Sequence, residues 1–359
     1  MTRNERRASV MANQRGVAAI IVALSMVVLL GVAALAIDLG YRNIAQNELQ
    51  NIADAAALAG AAELSRQYLD PAFLAVNDGA IIAIAREIAD TNESEFVIPA
   101  GDIQIGRWVN RTTGFEAGSF EKPNAVRVIA KKDGATNSLV QTFFARIWSV
   151  TGLNVQADAT AALTGSSKVG PGKLEIPVGI SQEWFTGDFC DQNIQFYPTS
   201  GTTGCAGWHN YEDWPANAAK LRDVLDGLNP DITELDFTPP AVDLADDPSF
   251  VFIGGNLSTA TDNIGNLFEA MKEFNATYDN GDGTYGRWEW ETMVVVYGED
   301  CGENPNQTIP IVGFATVLIT GTSGPPPVLI ASVECNQVEP GVGGGGYYGT
   351  WGTIPGLVE

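Results

Sequence analysis

The chain is predicted to fold as an α+β protein. A single N-terminal transmembrane helix continues into a long helix packed on a small sheet, and a mainly-β, disulfide-containing domain follows. Three observations predict this: an uncharged run from Gly16 to Ile37, an apolar helical stripe that carries on beyond Asp38, and strand-like segments around four late cysteines.

The run GVAAIIVALSMVVLLGVAALAI holds no charge, and Ser25 is its only hydroxyl. Its 22 residues span ~33 Å as a helix, about one hydrocarbon core. Gly16, Ile20, Leu24, Val28, Leu35 and Ile37 mark it as a membrane anchor. Arg3, Arg6, Arg7 and Arg15 precede it against a single Glu5. The positive-inside bias therefore keeps residues 1–15 in the cytoplasm and sends everything after Asp38 across. A cleaved signal peptide has a shorter apolar region, ~7–15 residues, so retention is favoured over a cut near Ala33-Ala34-Leu35-Ala36. Asp38 reads as an ordinary polar stop to the span.

The formal net charge is -23, and the basic N-terminus contributes +3 of it, leaving -26 on the exported portion. Such a surface repels nucleic acid and anionic lipid headgroups, so neither is expected as its partner. Cys190, Cys205, Cys301 and Cys335 lie beyond the span, where an oxidising compartment turns an even count into two disulfides. Three pairings are open, with sequence neighbours (190–205 and 301–335) preferred.

Beyond Asp38, Tyr41, Ile44, Leu49, Ile52, Ala56 and Ala59 recur at helical steps, with Gln46, Asn47, Gln50, Asn51 and Asp54 between them. Tyr41, Leu49, Ile52, Ala56 and Ala59 are the expected helix-packing residues, and the Ala-rich stretch 55–62 permits close approach. Asp70-Pro71 ends the run, so span and stripe form one rod from about Gly16 to Leu69.

These residues carry a specific likeness. Arg15-Gly16 before the span, the Ala36-Ile37-Asp38-Leu39-Gly40 exit, and Glu48 to Asn51 leading into Ala53 to Gly60 resemble the N-terminal module of TadG-like proteins of Flp-type (Tad) pilus-assembly systems. The match is close over about 15–65 and weaker through residue 163. It implies a pilin-like α+β domain over 38–163. It also implies an extracytoplasmic role among pilus or pseudopilin subunits and inner-membrane assembly proteins. Two departures stand out. The position five residues after Gly16, glutamate in processed pseudopilins, is Ile21, which favours an unprocessed anchor; and the Asp-x-Ser-x-Ser metal motif of larger relatives is missing.

A second helix is expected over 72–90, weakened at Asn77-Asp78-Gly79. Strands follow at 102–109, 125–131 and 153–163, with a helix over 139–150 between the last two. Residues 164–173 read as a linker, not a phosphate loop, because Pro171 follows Gly170. The mainly-β domain covers 174–338, with strands at 174–180, 250–253, 288–297, 309–320 and 328–333 and helices at 215–228 and 263–275. The Gly-rich segment 339–359 reads as a flexible tail.

Phe185, Phe189, Phe196, Tyr197, Trp208, His209 and Tyr211 crowd the region of Cys190 and Cys205. A small stapled core is preferred over a recognition surface, and His209 reads as structural. The acidic loop (Asp231, Glu234, Asp236, Asp243, Asp246, Asp247) and Asp279-Asn280-Gly281-Asp282-Gly283 lack calcium-loop spacing. Neither a metal nor another cofactor is expected. Neither Gly-x-Ser-x-Gly nor His-Glu-x-x-His occurs, and the chain is read as non-enzymatic. The expected function is that of a single-pass protein of the bacterial inner membrane, belonging to a Flp/Tad pilus-assembly or secretion apparatus and acting by protein–protein contacts. The alternative is a surface adhesin whose C-terminal domain binds glycan or host protein.

Overall fold

The computed structural model describes residues 3–70, 72–190, 192–197, 204–211, 217–232, 237–254, 257–279, 285–302 and 307–358, with backbone only at 3–17, 258, 277–279 and 285. Helix α1 runs unbroken over Arg3–Tyr68, ~100 Å at helical rise. From Ala18 it is apolar and long enough to cross a membrane. Apart from Ala34, residues 20–35 stand exposed, whereas Ala45, Leu49, Ile52, Ala53, Ala56, Ala57, Ala61 and Leu64 are buried. One helix is thus bare along its first half and the spine of a folded core along its second.

Helix α2 (Asp78–Asn92) buries Ile81, Ala85 and Ala89 against α1. Asn77 does not weaken its middle, as the sequence suggested, but caps its start. The Asn77 side chain accepts the Ala80 N–H, and Gln67 of α1 accepts the Asn77 N–H at 2.7 Å. Strands β1 (Ile103–Asn110), β2 (Gly114–Ala117) and β3 (Ala125–Lys132) form antiparallel neighbours. Val126 and Val128 of β3 bury themselves under α1. Gly60 is where helix and sheet come closest: a Cβ there would sit 2.9 Å from Val126 Cγ1.

The helix expected over 139–150 is absent. A short hairpin, β4 (Val140–Gln141) with β5 (Gly152–Leu153), carries a single 3-10 turn at Ala145–Trp148. The reason is tertiary: the N–H groups of Phe143, Phe144 and Ala145 are taken by the carboxylate of Asp38. Strand β6 (Val155–Ala162) then pairs with β3 along its whole length.

The segment read as a linker contains β7 (Lys168–Val169). Strand β8 (Val178–Ser181) begins later than expected, because Pro177 offers no N–H to a ladder. Next come β9 (Asn193–Phe196), β10 (Ala206–Trp208) and helix α3 (Ala218–Leu228), capped by Asn217; the expected start at Pro215 lies outside the described residues. After β11 (Val242–Asp243) and β12 (Ser249–Val251), helix α4 covers Thr261–Met271. It ends before 275 because Phe274 belongs to β13 (Glu273–Asp279), opposite Trp288 of β14 (Tyr285–Tyr297). The long strands β14, β15 (Thr308–Ser323) and β16 (Val328–Glu334) are antiparallel, with β8 parallel to β14 and β9 at the edge of β16.

This sheet is covered on both faces, as the unbroken Met293-Val294-Val295-Val296 run requires. Val294 and Val296 pack with Leu221, Leu225, Ile264 and Leu267 of α3 and α4. Met293 and Val295 pack with Tyr211, Phe250, Phe252 and Phe314.

The Gly-rich end is not a flexible tail. β17 (Gln337–Val342) and β18 (Thr350–Ile354) join β7 and β11 in a four-stranded sheet, so the expected linker and the expected tail pair with each other. Here glycine serves close packing, since a Cβ on Gly165 would lie 1.8 Å from the Gly346 carbonyl oxygen. Strand β19 (Gly356–Leu357) then adds to β6, and Trp351 is buried in the α1 core. The chain's end thereby ties the second region back onto the first.

The disulfides are Cys190–Cys335 and Cys205–Cys301, with Cα atoms 5.4 and 4.3 Å apart, not the sequence neighbours. Register decides the pairing. In the antiparallel β9–β16 ladder Asn193 faces Ser332, and three steps further out Cys190 meets Cys335. Gly204 pairs with Gly302, which sets Cys205 beside Cys301.

Candidate functional site

The residues of the apolar run and of the hairpin meet at one place, the point where α1 leaves its bare half. Among residues 18–44 only Ala34 and Asp38, one turn apart, are buried. Asp38 is 7% exposed, and its carboxylate accepts three backbone N–H groups: Phe143 at 2.7 Å, Phe144 at 3.1 Å and Ala145 at 2.7 Å. Burial pushes its pKa up. The donors of Phe143, Ala145 and Phe144, helped by the charge of Arg146, outweigh that and hold the carboxyl below its ordinary value. Asp38 is therefore more than a polar stop; it docks a loop more than a hundred residues away. The acceptor cap it gives the 3-10 turn was invisible in sequence, since nothing near residue 38 names its donors.

The expected packing residues divide. Leu49, Ile52 and Ala56 are buried in the helix–sheet core and Ala59 is half-buried. Tyr41 is exposed and meets the Phe143 ring edge-on, with centroids 5.3 Å apart. Ile44 is exposed. Of the residues expected to form the anchor, Ile20, Leu24, Val28, Leu35 and Ile37 are exposed on α1, and Gly16 lies in the backbone of the same helix. The polar edge of α1 is fastened to β6: Gln46 Nε2 donates to the Gln156 carbonyl at 2.7 Å and Gln50 Nε2 to the Asp158 carbonyl at 3.1 Å.

The aromatic cluster near the cysteines is interior at four positions and half-buried at Phe185, Phe189 and Tyr197. Phe196, Trp208, His209 and Tyr211 are buried, and Phe185 and Phe189 pack edge-on to each other under Tyr347 and Tyr348. His209 Nδ1 accepts the Tyr211 N–H at 3.1 Å, and burial depresses the imidazole pKa to about 3, so the ring is neutral at physiological pH. A cleft of about 670 Å³ opens where β1 meets the returning C-terminus, lined by Arg107, Arg111, Asn124, Tyr347, Trp351 and Leu357. Glu291 and Glu339 are raised in pKa, by burial first and by neighbouring carboxylates second. Among the described residues no three His, Cys, Asp or Glu side chains are grouped to hold a metal ion. Residues 233–236 and 280–284, which include part of both acidic segments, lie outside the described residues.

Comparison with known families places this geometry. Residues 16–63 match the Flp pilus-assembly TadE/G-like family model, and residues 46–161 match a Tad-like Flp pilus-assembly model. The first covers the apolar run and the buried half of α1; the second covers that half again, α2, the sheet and the hairpin that Asp38 holds. No curated protein and no solved structure matches the chain. Residues 16–161 are thus similar to two Tad-type Flp pilus-assembly models, which supports a pilus-assembly-related role for the protein.

Proposed function

We propose that the protein is a non-enzymatic, single-pass component of a Flp/Tad-type pilus-assembly apparatus. In this reading residues 16–37 anchor it in the bacterial inner membrane, residues 1–15 stay in the cytoplasm, and the bulk of the chain works outside the cytoplasm through protein–protein contacts with pilus subunits and assembly proteins. The observation that carries it is the continuity of α1: one helix is both the bare apolar segment and the spine of the Tad-like core, so the folded part is rigidly coupled to its anchor. Two disulfides in the β region fit an oxidising compartment. The Arg-lined cleft between β1 and the C-terminus is the proposed contact site for a partner. The adhesin alternative is ranked lower, because Phe196, Trp208, His209 and Tyr211, four of the aromatic side chains that were to bind glycan, are buried.

Protease treatment of spheroplasts tests the topology: the C-terminal β region is expected to be digested while the membrane is intact, and protection rejects the orientation. Deleting the gene is expected to reduce surface pili. Unchanged piliation rejects the assembly role.

A further inference from the structure

We propose that the hairpin tip over residues 142–151 is a second membrane contact, seating its aromatic face in the lipid headgroup region where α1 leaves the bilayer and so fixing the depth of the folded part above it. The inference rests on the anchor reading above and adds a surface that reading does not contain.

Four observations carry it. First, level: Asp38 and Ala34 are the buried turn at the end of the apolar run, and Asp38 holds Phe143, Phe144 and Ala145 against it. At a 3-10 rise of ~2 Å per residue, Trp148 lies within ~6 Å of Ala145 along the turn. Second, exposure: Phe143, Ile147 and Trp148 are 59%, 75% and 69% exposed. Water offers no reason to present three large apolar side chains at one tip, whereas the bilayer interface is where tryptophan and its aromatic neighbours gather. The patch is also continuous with the exposed helix: Phe143 meets Tyr41 edge-on, and exposed Ile37 lies one turn before Tyr41. That continuity selects lipid over a protein partner.

Third, charge: from residue 134 to 157 the chain holds no Asp or Glu, although it contains 43 of them, and Arg146 is the single charge in that stretch. An otherwise strongly acidic protein thus turns a cationic, acid-free segment toward phosphate headgroups. Fourth, shape: the tip is built and held. Thr142 Oγ1 donates to the Val150 carbonyl at 2.5 Å, the Thr142 N–H donates to the Thr151 carbonyl at 3.3 Å, and Ser149 closes the turn with φ of 65°.

The test uses the full chain in phosphatidylcholine–phosphatidylglycerol nanodiscs, with and without lipids brominated near the glycerol. Trp148 is one of eight tryptophans, so the expected result is partial quenching by brominated lipid that disappears in Trp148→Phe and falls in Ile147→Asp. Both side chains are exposed. A retained chain quenched equally with and without Trp148, or not at all, overturns the proposal and leaves the anchor standing. Absent quenching with a loss of pili in Trp148→Ser assigns the tip to a protein partner and overturns it as well. A chain that the discs do not retain overturns the anchor, and this proposal with it.

Discussion

The Asp38 carboxylate accepts the Ala145 N–H at 2.7 Å across 107 residues of chain. One acidic side chain at the end of the apolar run thereby positions the loop between β4 and β5.

Removing that acceptor frees three backbone donors at once. In Asp38→Ala, amide hydrogen exchange at Phe143, Phe144 and Ala145 is expected to lose its protection while the core amides of β3 and β6 keep theirs. The carboxyl is held below its ordinary value, so the unfolded state takes up the proton first as pH falls. The contact is present at neutral pH and is expected to fail as pH drops through the folded-state value, which exchange measured in mild acid will read.

His209 sets a second pH dependence, of greater size. Its folded pKa of about 3 lies below the ordinary 6.5, so between those values the unfolded chain binds a proton that the folded one refuses. Stability is expected to fall as pH drops through this window, by about 1.4 kcal/mol per unit at most. Thermal unfolding of the full chain in detergent should show this slope in the wild type. In His209→Asn, which keeps an acceptor for the Tyr211 N–H, the slope should flatten.

The cross-strand disulfides close loops of 145 and 96 residues in sequence separation. Cys190→Ser with Cys335→Ser is expected to cost about 2–5 kcal/mol. Peptide mapping under non-reducing conditions checks the pairing itself: a 190–205 fragment pair contradicts it.

Trp351 tests whether the Gly-rich end is structural. It is buried among α1 residues, so Trp351→Ala should destabilise the fold by about 3–5 kcal/mol. Proteolysis should then begin within 339–358. A solvated tail would give no change in unfolding midpoint.

The cleft gives the contact reading its own test. Arg107→Glu with Arg111→Glu is expected to lower pilus number with no shift in melting temperature, measured by electron microscopy beside thermal unfolding. Normal piliation removes the cleft as the contact site.

Much of this was readable from one dimension, because it depends on what each residue does alone or with near neighbours. Twenty-two uncharged residues make an apolar helix wherever they stand, the three-and-four spacing of Leu49, Ile52 and Ala56 gives a buried face, and the alternation over 153–163 gives a strand. What the sequence left undecided depends on partners far along the chain. Pro177 and Asn77 moved element boundaries. The run LVQTFFARIWSV has helical composition, yet its amides bond to Asp38 and it becomes a turn. Glycines 343–346 look solvated until Gly165 lies against them, and four cysteines choose partners by strand register, which no spacing encodes. Local propensity is worth tenths of a kcal/mol per residue, so a buried acceptor or a paired strand outweighs it, and only the tertiary structure decides where those fall.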